Sequence, residues 1–280
     1  MEWMKFFKKF IFLAIITMFV NLMHSQKFRV HYEMDYKPDS LQDQYVRKNM
    51  ILDVNDNKNR FYSYKLYRSD STLIANEKTG KMTMSKSMDY EFMVIKKPLL
   101  KENIKIYRVL YDTYELKEDQ PIFDWKILSD KKTFNNVICQ KATLKFKGRQ
   151  WEAWFSTELP YSEGPYIFNG LPGLIISMYD TNKNYIFNFS GLSKDYLDIY
   201  KDREQFKSIK INKTQFDKIR IDYYNDPYKE VKAGKIMMNF KNEKGEKIQP
   251  NFNELAKYKQ YEIKKNNNSI ELSESLKYPD

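Results

Sequence analysis

Between Phe28 and about Ser190 the apolar residues recur at every second position, and this period decides the fold class. Ala142, Leu144 and Phe146 alternate with Lys141, Thr143, Lys145 and Lys147. Tyr185, Phe187 and Phe189 alternate in the same way with Ile186, Asn188 and Ser190. Successive side chains of a strand point to opposite faces, so each run makes a strand with one dry and one wet side. A helix would need a period of about 3.6. Polar clusters separate the runs, at Asp53-Val54-Asn55-Asp56-Asn57, Lys78-Thr79-Gly80-Lys81, Lys147-Gly148-Arg149-Gln150 and Asp180-Thr181-Asn182-Lys183-Asn184. Each is able to reverse a chain between antiparallel strands. A meander of about eight strands is predicted, without the βαβ alternation of a parallel sheet.

The last third changes period. Thr214 followed by Asp217 has the layout of an imperfect capping box, and Phe216, Ile219 and Tyr223 then share one helical face. Pro227 ends or kinks that helix. A second helix is expected over Asn251 to Glu262, with Phe252, Leu255 and Tyr258 inward. From about residue 265 the chain is polar and is expected to be loose. The fold class is therefore mostly β, a β-rich α+β domain. It is read as a curved antiparallel sheet or half-barrel with aromatics on its concave side and C-terminal helices over one end or face. The half-barrels of bacterial lipoprotein carriers are an analogue of architecture alone.

At the N-terminus Lys5, Lys8 and Lys9 precede the uncharged run Phe10 to Val20 and the polar stretch Asn21 to Gln26. That is the layout of a removable export signal, too short for a comfortable bilayer span. Cleavage is expected after Ser25, leaving residues 26–280 as a single domain. No later segment has eighteen consecutive apolar residues, so the chain is not expected to span a membrane once the signal is gone. A hydrophobic content of 42% with 16% aromatics supplies a large core and excludes a disordered chain. The core must do the stabilising, because Cys139 is the sole cysteine and an intramolecular disulfide is impossible. The formal charge of +11 falls to +9 without residues 1–25. Export and the dispersal of the lysines argue against nucleic acid, leaving a solvated basic surface or attraction to an anionic envelope surface.

Gly170-Leu171-Pro172-Gly173-Leu174-Ile175 is the least ordinary stretch in the chain. Pro172 fixes φ, Leu171 before it is pushed to an extended form, and the two glycines permit positive φ or close backbone approach. Leu174, Ile175, Ile176 and Met178 then launch a buried strand. These six residues resemble the GLPGLI family of exported proteins from Bacteroidota-type Gram-negative bacteria. Around them, Trp125-Lys126-Ile127 with Asp130 and Lys132, Cys139-Gln140-Lys141-Ala142, Phe146-Lys147-Gly148-Arg149, Trp154-Phe155 and Gly164-Pro165 with Phe168 follow the family's order and spacing. Near the end Asn267-Asn268 with Ile270-Glu271-Leu272 is similar to the family's closing segment, with Ser269 in place of a proline. The resemblance implies export and an unassigned role. In such bacteria Asp39-Ser40-Leu41 and Asp70-Ser71-Thr72 also look like O-glycosylation sites.

No catalytic set stands out. His31 is the single histidine left after the export signal and lies between Val30 and Tyr32 in the first strand, where it reads as a strand residue. Cys139 lies between Ile138 and Gln140 and reads as a structural thiol. Zinc or copper sites need several His or Cys ligands, so no metal site and no cofactor are expected. Asp53-x-Asn55-x-Asn57 has Lys58 where a calcium loop has its glycine, so it reads as a hairpin turn. The candidate binding residues are Arg149 and Trp154, read as an exposed pair for an acidic or aromatic ligand. The turn residues Gly170, Leu171, Pro172 and Gly173 join them, at the mouth or floor of the concave side.

The function expected is that of a non-enzymatic envelope protein, periplasmic, secreted or attached to the outer membrane. Its partner would be an envelope protein or transporter, or a hydrophobic or acidic small ligand. Two alternatives stand beside it: a hydrolase or peptidase-like enzyme using carboxylates or an oxygen-ligated metal, and a structural or adhesive surface component.

Overall fold

A computed structural model of the chain describes residues 27–279, apart from residues 56, 81–90, 110, 111, 135, 201–207 and 241. The expected export signal lies outside the described residues. Among the described residues twelve strands form one open sheet: β1 (Phe28–Tyr36), β2 (Val46–Val54), β3 (Asn59–Ser63), β4 (Phe92–Lys97), β5 (Glu102–Val109), β6 (Asp112–Asp119), β7 (Lys126–Phe134), β8 (Val137–Phe146), β9 (Arg149–Ser156), β10 (Leu174–Asp180), β11 (Tyr185–Ser193) and β12 (Ile209–Ile211). Their order is β12-β6-β5-β4-β3-β2-β1-β11-β10-β9-β8-β7. One meander runs from β1 out to β6, a second returns from β7 to β11, and antiparallel pairing of β11 with β1 joins them. Only β12 is parallel to its neighbour, β6, which makes the sheet mixed. The mostly β class and the open antiparallel meander are as expected. The strand number is larger than expected, and on β4 and β5 the polar Lys96, Asn103 and Lys105 are fully buried.

Among the described residues four α-helices accompany the sheet: α1 (Tyr64–Lys78), α2 (Lys213–Asn225), α3 (Lys229–Lys232) and α4 (Phe252–Lys265). The cluster Lys78-Thr79-Gly80 ends α1 and does not join two strands, a correction to the sequence expectation. Ser63 starts α1 by accepting a hydrogen bond from the Leu66 amide. Along α1 only Leu66 and Asp70 are buried, so the helix shows no apolar stripe. The cap of α2 is Asn212 with Gln215, a complete capping box two residues ahead of the expected one. α4 lies where a helix was expected, with Asn251 as its cap, but Tyr258 points out and is 64% exposed.

Both faces of the sheet are covered. The larger core lies on the face of β1 that carries Phe28, Val30, Tyr32 and Met34, and it continues through Leu52, Phe61, Ala142, Trp151, Met178 and Phe187. The long β9–β10 connection, residues 157–173, folds back over this face and buries Tyr166, Ile167 and Phe168 in it. On the opposite face Ile51, Tyr62, Met93, Ile104 and Ile106 pack with Leu66 of α1 and with Tyr200. Beneath that cover Arg29 donates two hydrogen bonds to Asp53, at 2.6 and 3.0 Å, and Tyr62 donates a third at 2.6 Å. At the β5–β6 end, α2 seats Phe216 on Tyr107 and Tyr114.

Cys139 is fully buried in the larger core, and burial pushes its thiol up to about 11. The structural reading of this residue predicts that native protein at pH 8 does not react with iodoacetamide, whereas denatured protein is fully alkylated. Mass measurement of the native sample checks this; fast native labelling would place the thiol at the surface.

Candidate functional site

Polar side chains on an otherwise apolar sheet face define the site. Lys96 of β4 is completely buried and pairs with Glu163 of the β9–β10 connection, while Asn59 of β3 donates to the same carboxylate at 2.6 Å. Two strand positions away on the same face stands Lys105 of β5. Its ammonium lies 2.6 Å from Glu271 Oε2 and 2.8 Å from Glu118 Oε2, and Tyr166 donates to Glu271 Oε1 at 2.9 Å. Burial alone would lower the Lys105 pKa, but Tyr107, Glu271 and Glu118 around it outweigh this and raise it. Burial raises Tyr107 to about 12 and Tyr166 well above the usual phenol range. These phenols therefore stay neutral donors at ordinary pH.

Glu271 belongs to the C-terminal segment, which the sequence suggested was loose. It is not loose. The β8–β9 hairpin turns on Lys147 and Gly148, with φ of 47° and 80°, the two left-handed residues of a type I′ turn. The turn points Arg149 at the tail. Its guanidinium donates to the Ser269 and Ile270 carbonyls, to Asn268 Oδ1 at 2.5 Å and to Asp180 Oδ2 at 3.0 Å. The Asn268 amide group donates in turn to the Lys37 carbonyl at 2.7 Å, and the Ser273 amide to the Lys147 carbonyl at 3.0 Å. A Cβ on Gly148 would stand 3.0 Å from the Ser273 nitrogen, so the tail lies directly on the turn. The two segments Phe146–Arg149 and Asn267–Leu272 thus form one structural unit, although about 120 residues separate them.

Between this tail, the β4–β6 end of the sheet and α2 lies a cavity of about 260 Å³. Met34, Phe92, Tyr107, Leu116, Phe216 and Ile263 make its apolar walls. Lys105, Glu118 and Glu271 bring the ion cluster to it, and Lys213, Arg220 and Tyr223 of α2 and Tyr278 of the tail line it from the other side. Arg220 lies 5.8 Å from the Tyr278 ring centre and 5.6 Å from that of Phe216. Among the described residues, one group of carboxylates has the spacing of a cation site: oxygens of Glu118, Glu271 and Glu274 lie within 4.8 Å of one another. Lys105 stands against the first two and Lys147 pairs with Glu274, so protein ammonium groups already balance this charge.

The residues singled out from the sequence fall elsewhere. Arg149 is 5% exposed and occupied by the tail, so it is not the exposed hairpin-tip group expected. Trp154 is 8% exposed; its indole donates to Glu152 at 3.1 Å and packs on Phe134. The two stand near opposite ends of β9 on opposite faces, and the structure does not bring them together. In the Gly170–Gly173 turn Leu171 is buried and Gly170 and Pro172 are exposed. Gly170 has φ of 93°, and its amide donates to Ser162. Gly173 lies so close to β9 that a Cβ there would overlap the Ser156 carbonyl. The turn acts as a packed entry to β10. His31 is half-buried, and burial followed by the Arg29 charge lowers its pKa. Of the two serine motifs, Ser40 and Leu41 are exposed while Asp70 is buried in α1. Sequence reasoning missed Lys105, Glu118 and the tail. The visible signal was the apolar Ile270 and Leu272 flanking Glu271 in a stretch otherwise read as solvent-facing.

Residues 145–177 match a family described as protein of unknown function (Porph_ging). That stretch holds both the Phe146–Arg149 turn and the Gly170–Ile175 turn. No curated protein matches the chain. Among solved structures it is similar to PNGF-II in the C2 space group, with 14% identity, a TM-score of 0.50 and coverage of 69% of this chain and 32% of that one. PNGF-II in the P21 space group is similar at 15% identity and a TM-score of 0.48, over 69% of this chain and 33% of the other. The chain thus spans about a third of the length of these structures, and the likeness at 0.50 bears on the fold alone. No described helix is long and apolar enough to cross a membrane.

Proposed function

We propose that this chain is an exported GLPGLI-type envelope protein that holds a small hydrophobic or acidic ligand in the cavity between β4–β6, α2 and the C-terminal tail, without chemically changing it. The cavity carries this reading. Its volume of about 260 Å³ is just below the span usual for drug-sized ligands. Its walls combine aromatic and aliphatic groups with a few ionised ones, the mixture that binds an apolar body and orients one polar end. Arg220 and Lys213 on the α2 side share Asp217 as their partner, which leaves one net positive charge there for an acidic end. The Lys5-to-Gln26 layout supports export.

Native mass spectrometry of residues 26–280 purified from the native periplasm tests this. An extra mass that is lost on denaturation, and lost also in a Phe216→Ala or Tyr107→Ala variant that still folds, is the expected result. A bare mass with an envelope protein captured by crosslinking would replace the small ligand by a protein partner.

A second reading, a carboxylate hydrolase, draws on Glu118, Glu271 and Glu274. The Lys105 ammonium among them favours a structural ion cluster over an acid–base pair. Turnover of an ester or peptide that vanishes in a folded Glu118→Gln variant would reverse that preference.

A further inference from the structure

The C-terminal helical unit has a surface that the fold itself does not explain. Residues 229–265 hold ten lysines and five glutamates, a net +5 out of the whole chain's +11. Lysines that look dispersed along the chain are thus concentrated on α3, α4 and the segment between them. The inward side of α4 is fully accounted for: Phe252 packs on Tyr228 and Phe240, Gln260 donates to the Tyr224 carbonyl at 2.9 Å, and Ile263 is buried.

The outward side is different. Lys257, Tyr258, Tyr261 and Lys265 fall at the spacing of one helical face. Tyr258 is 64% and Tyr261 55% exposed, and the Lys265 ammonium lies 4.7 Å from the Tyr261 ring centre. In the segment before α4, Met237 is 90% and Ile248 47% exposed. Glu254, also exposed, stands one turn ahead of Lys257 and Tyr258, so this face carries two lysines and two tyrosines to one glutamate. Tyrosine rings settle at the depth of lipid headgroups, lysines near an anionic leaflet gain electrostatic attraction, and apolar tips enter the acyl boundary.

We infer that the outward face of α4, with the Met237 and Ile248 segment, docks the folded protein onto an anionic phospholipid surface. The lysines supply attraction over roughly a Debye length, and the tyrosines and apolar tips hold the contact. An acidic protein surface would satisfy the lysines but has no need of protruding apolar tips. The docking is independent of whether the cavity holds a ligand, because α4 turns its other side to the fold.

Co-sedimentation of residues 26–280 with phosphatidylcholine vesicles, with and without about 30% phosphatidylglycerol, tests this. The chain should bind the anionic vesicles and not the neutral ones, and raising salt from about 0.05 M to about 0.5 M should release it. Lys257→Glu with Lys265→Glu, and separately Tyr258→Ser with Tyr261→Ser, should each weaken binding by about tenfold or more while leaving the thermal midpoint unchanged. These four side chains make few contacts with the rest of the fold, so the variants should fold. Equal binding to both kinds of vesicle, no binding to either, or binding that both double variants retain in full would overturn the inference.

Discussion

Arg149→Ala is expected to destabilise the protein by about 3–5 kcal/mol and to free the tail beyond Lys265. The guanidinium is buried with Asp180, at 2% and 3% side-chain exposure, so its removal leaves a carboxylate without its charge partner. It also strips donors from Asn268 Oδ1 and from the Ser269 and Ile270 carbonyls. Asp180 keeps the Tyr185 amide and the Asn184 side chain, which limits the loss to one network. Arg149→Lys should recover part of the stability, because a lysine restores the charge but not the planar fork that reaches several acceptors at once. Urea unfolding of the two variants measures the difference. Equal stability of wild type and Arg149→Ala would show that the tail does not depend on this residue.

Gly173→Ala is expected to be at least as damaging, and to prevent soluble accumulation of the folded protein. The added methyl would overlap the backbone carbonyl of Ser156, which belongs to the β9–β10 pairing and has no rotamer through which to move aside. Gly170→Ala differs instructively. Its Cβ would meet nothing nearer than the Trp125 ring at 3.9 Å, so its cost is that of a positive φ alone, about 1 kcal/mol. Comparing the soluble yield and thermal midpoints of the two variants separates close approach from backbone conformation within one turn. Wild-type behaviour of Gly173→Ala would contradict the packed-entry reading.

The strands of the second meander were legible because their faces are chemically distinct. Along β8 the buried Ala142 and Leu144 alternate with half-buried or exposed neighbours, as the period requires. The β4–β6 wing was less legible because its inner face is built from ions. Lys96 and Lys105 pair with carboxylates that lie far away in sequence, and a lysine in a strand reads as solvent-facing until its partner is known. Helix α1 was missed for the opposite reason, having almost no buried face to announce it. The candidate site was legible only in fragments. Arg149 was singled out as an exposed group for an outside ligand, whereas it is buried and holds the chain's own tail. Such a contact depends on sequence-distant pairing that no local pattern encodes. The final polar stretch looked loose because its amides and carbonyls bond to other segments instead of to a regular element of its own.

The tail is part of the fold and forms one wall of the cavity. Hydrogen exchange of the wild-type protein tests it most directly. The amides of Asn268, bonded to the Pro38 carbonyl, and Ser273, bonded to the Lys147 carbonyl, should exchange as slowly as those of neighbouring strands. Exchange of both at the rate of a free peptide would contradict it and leave the cavity without that wall.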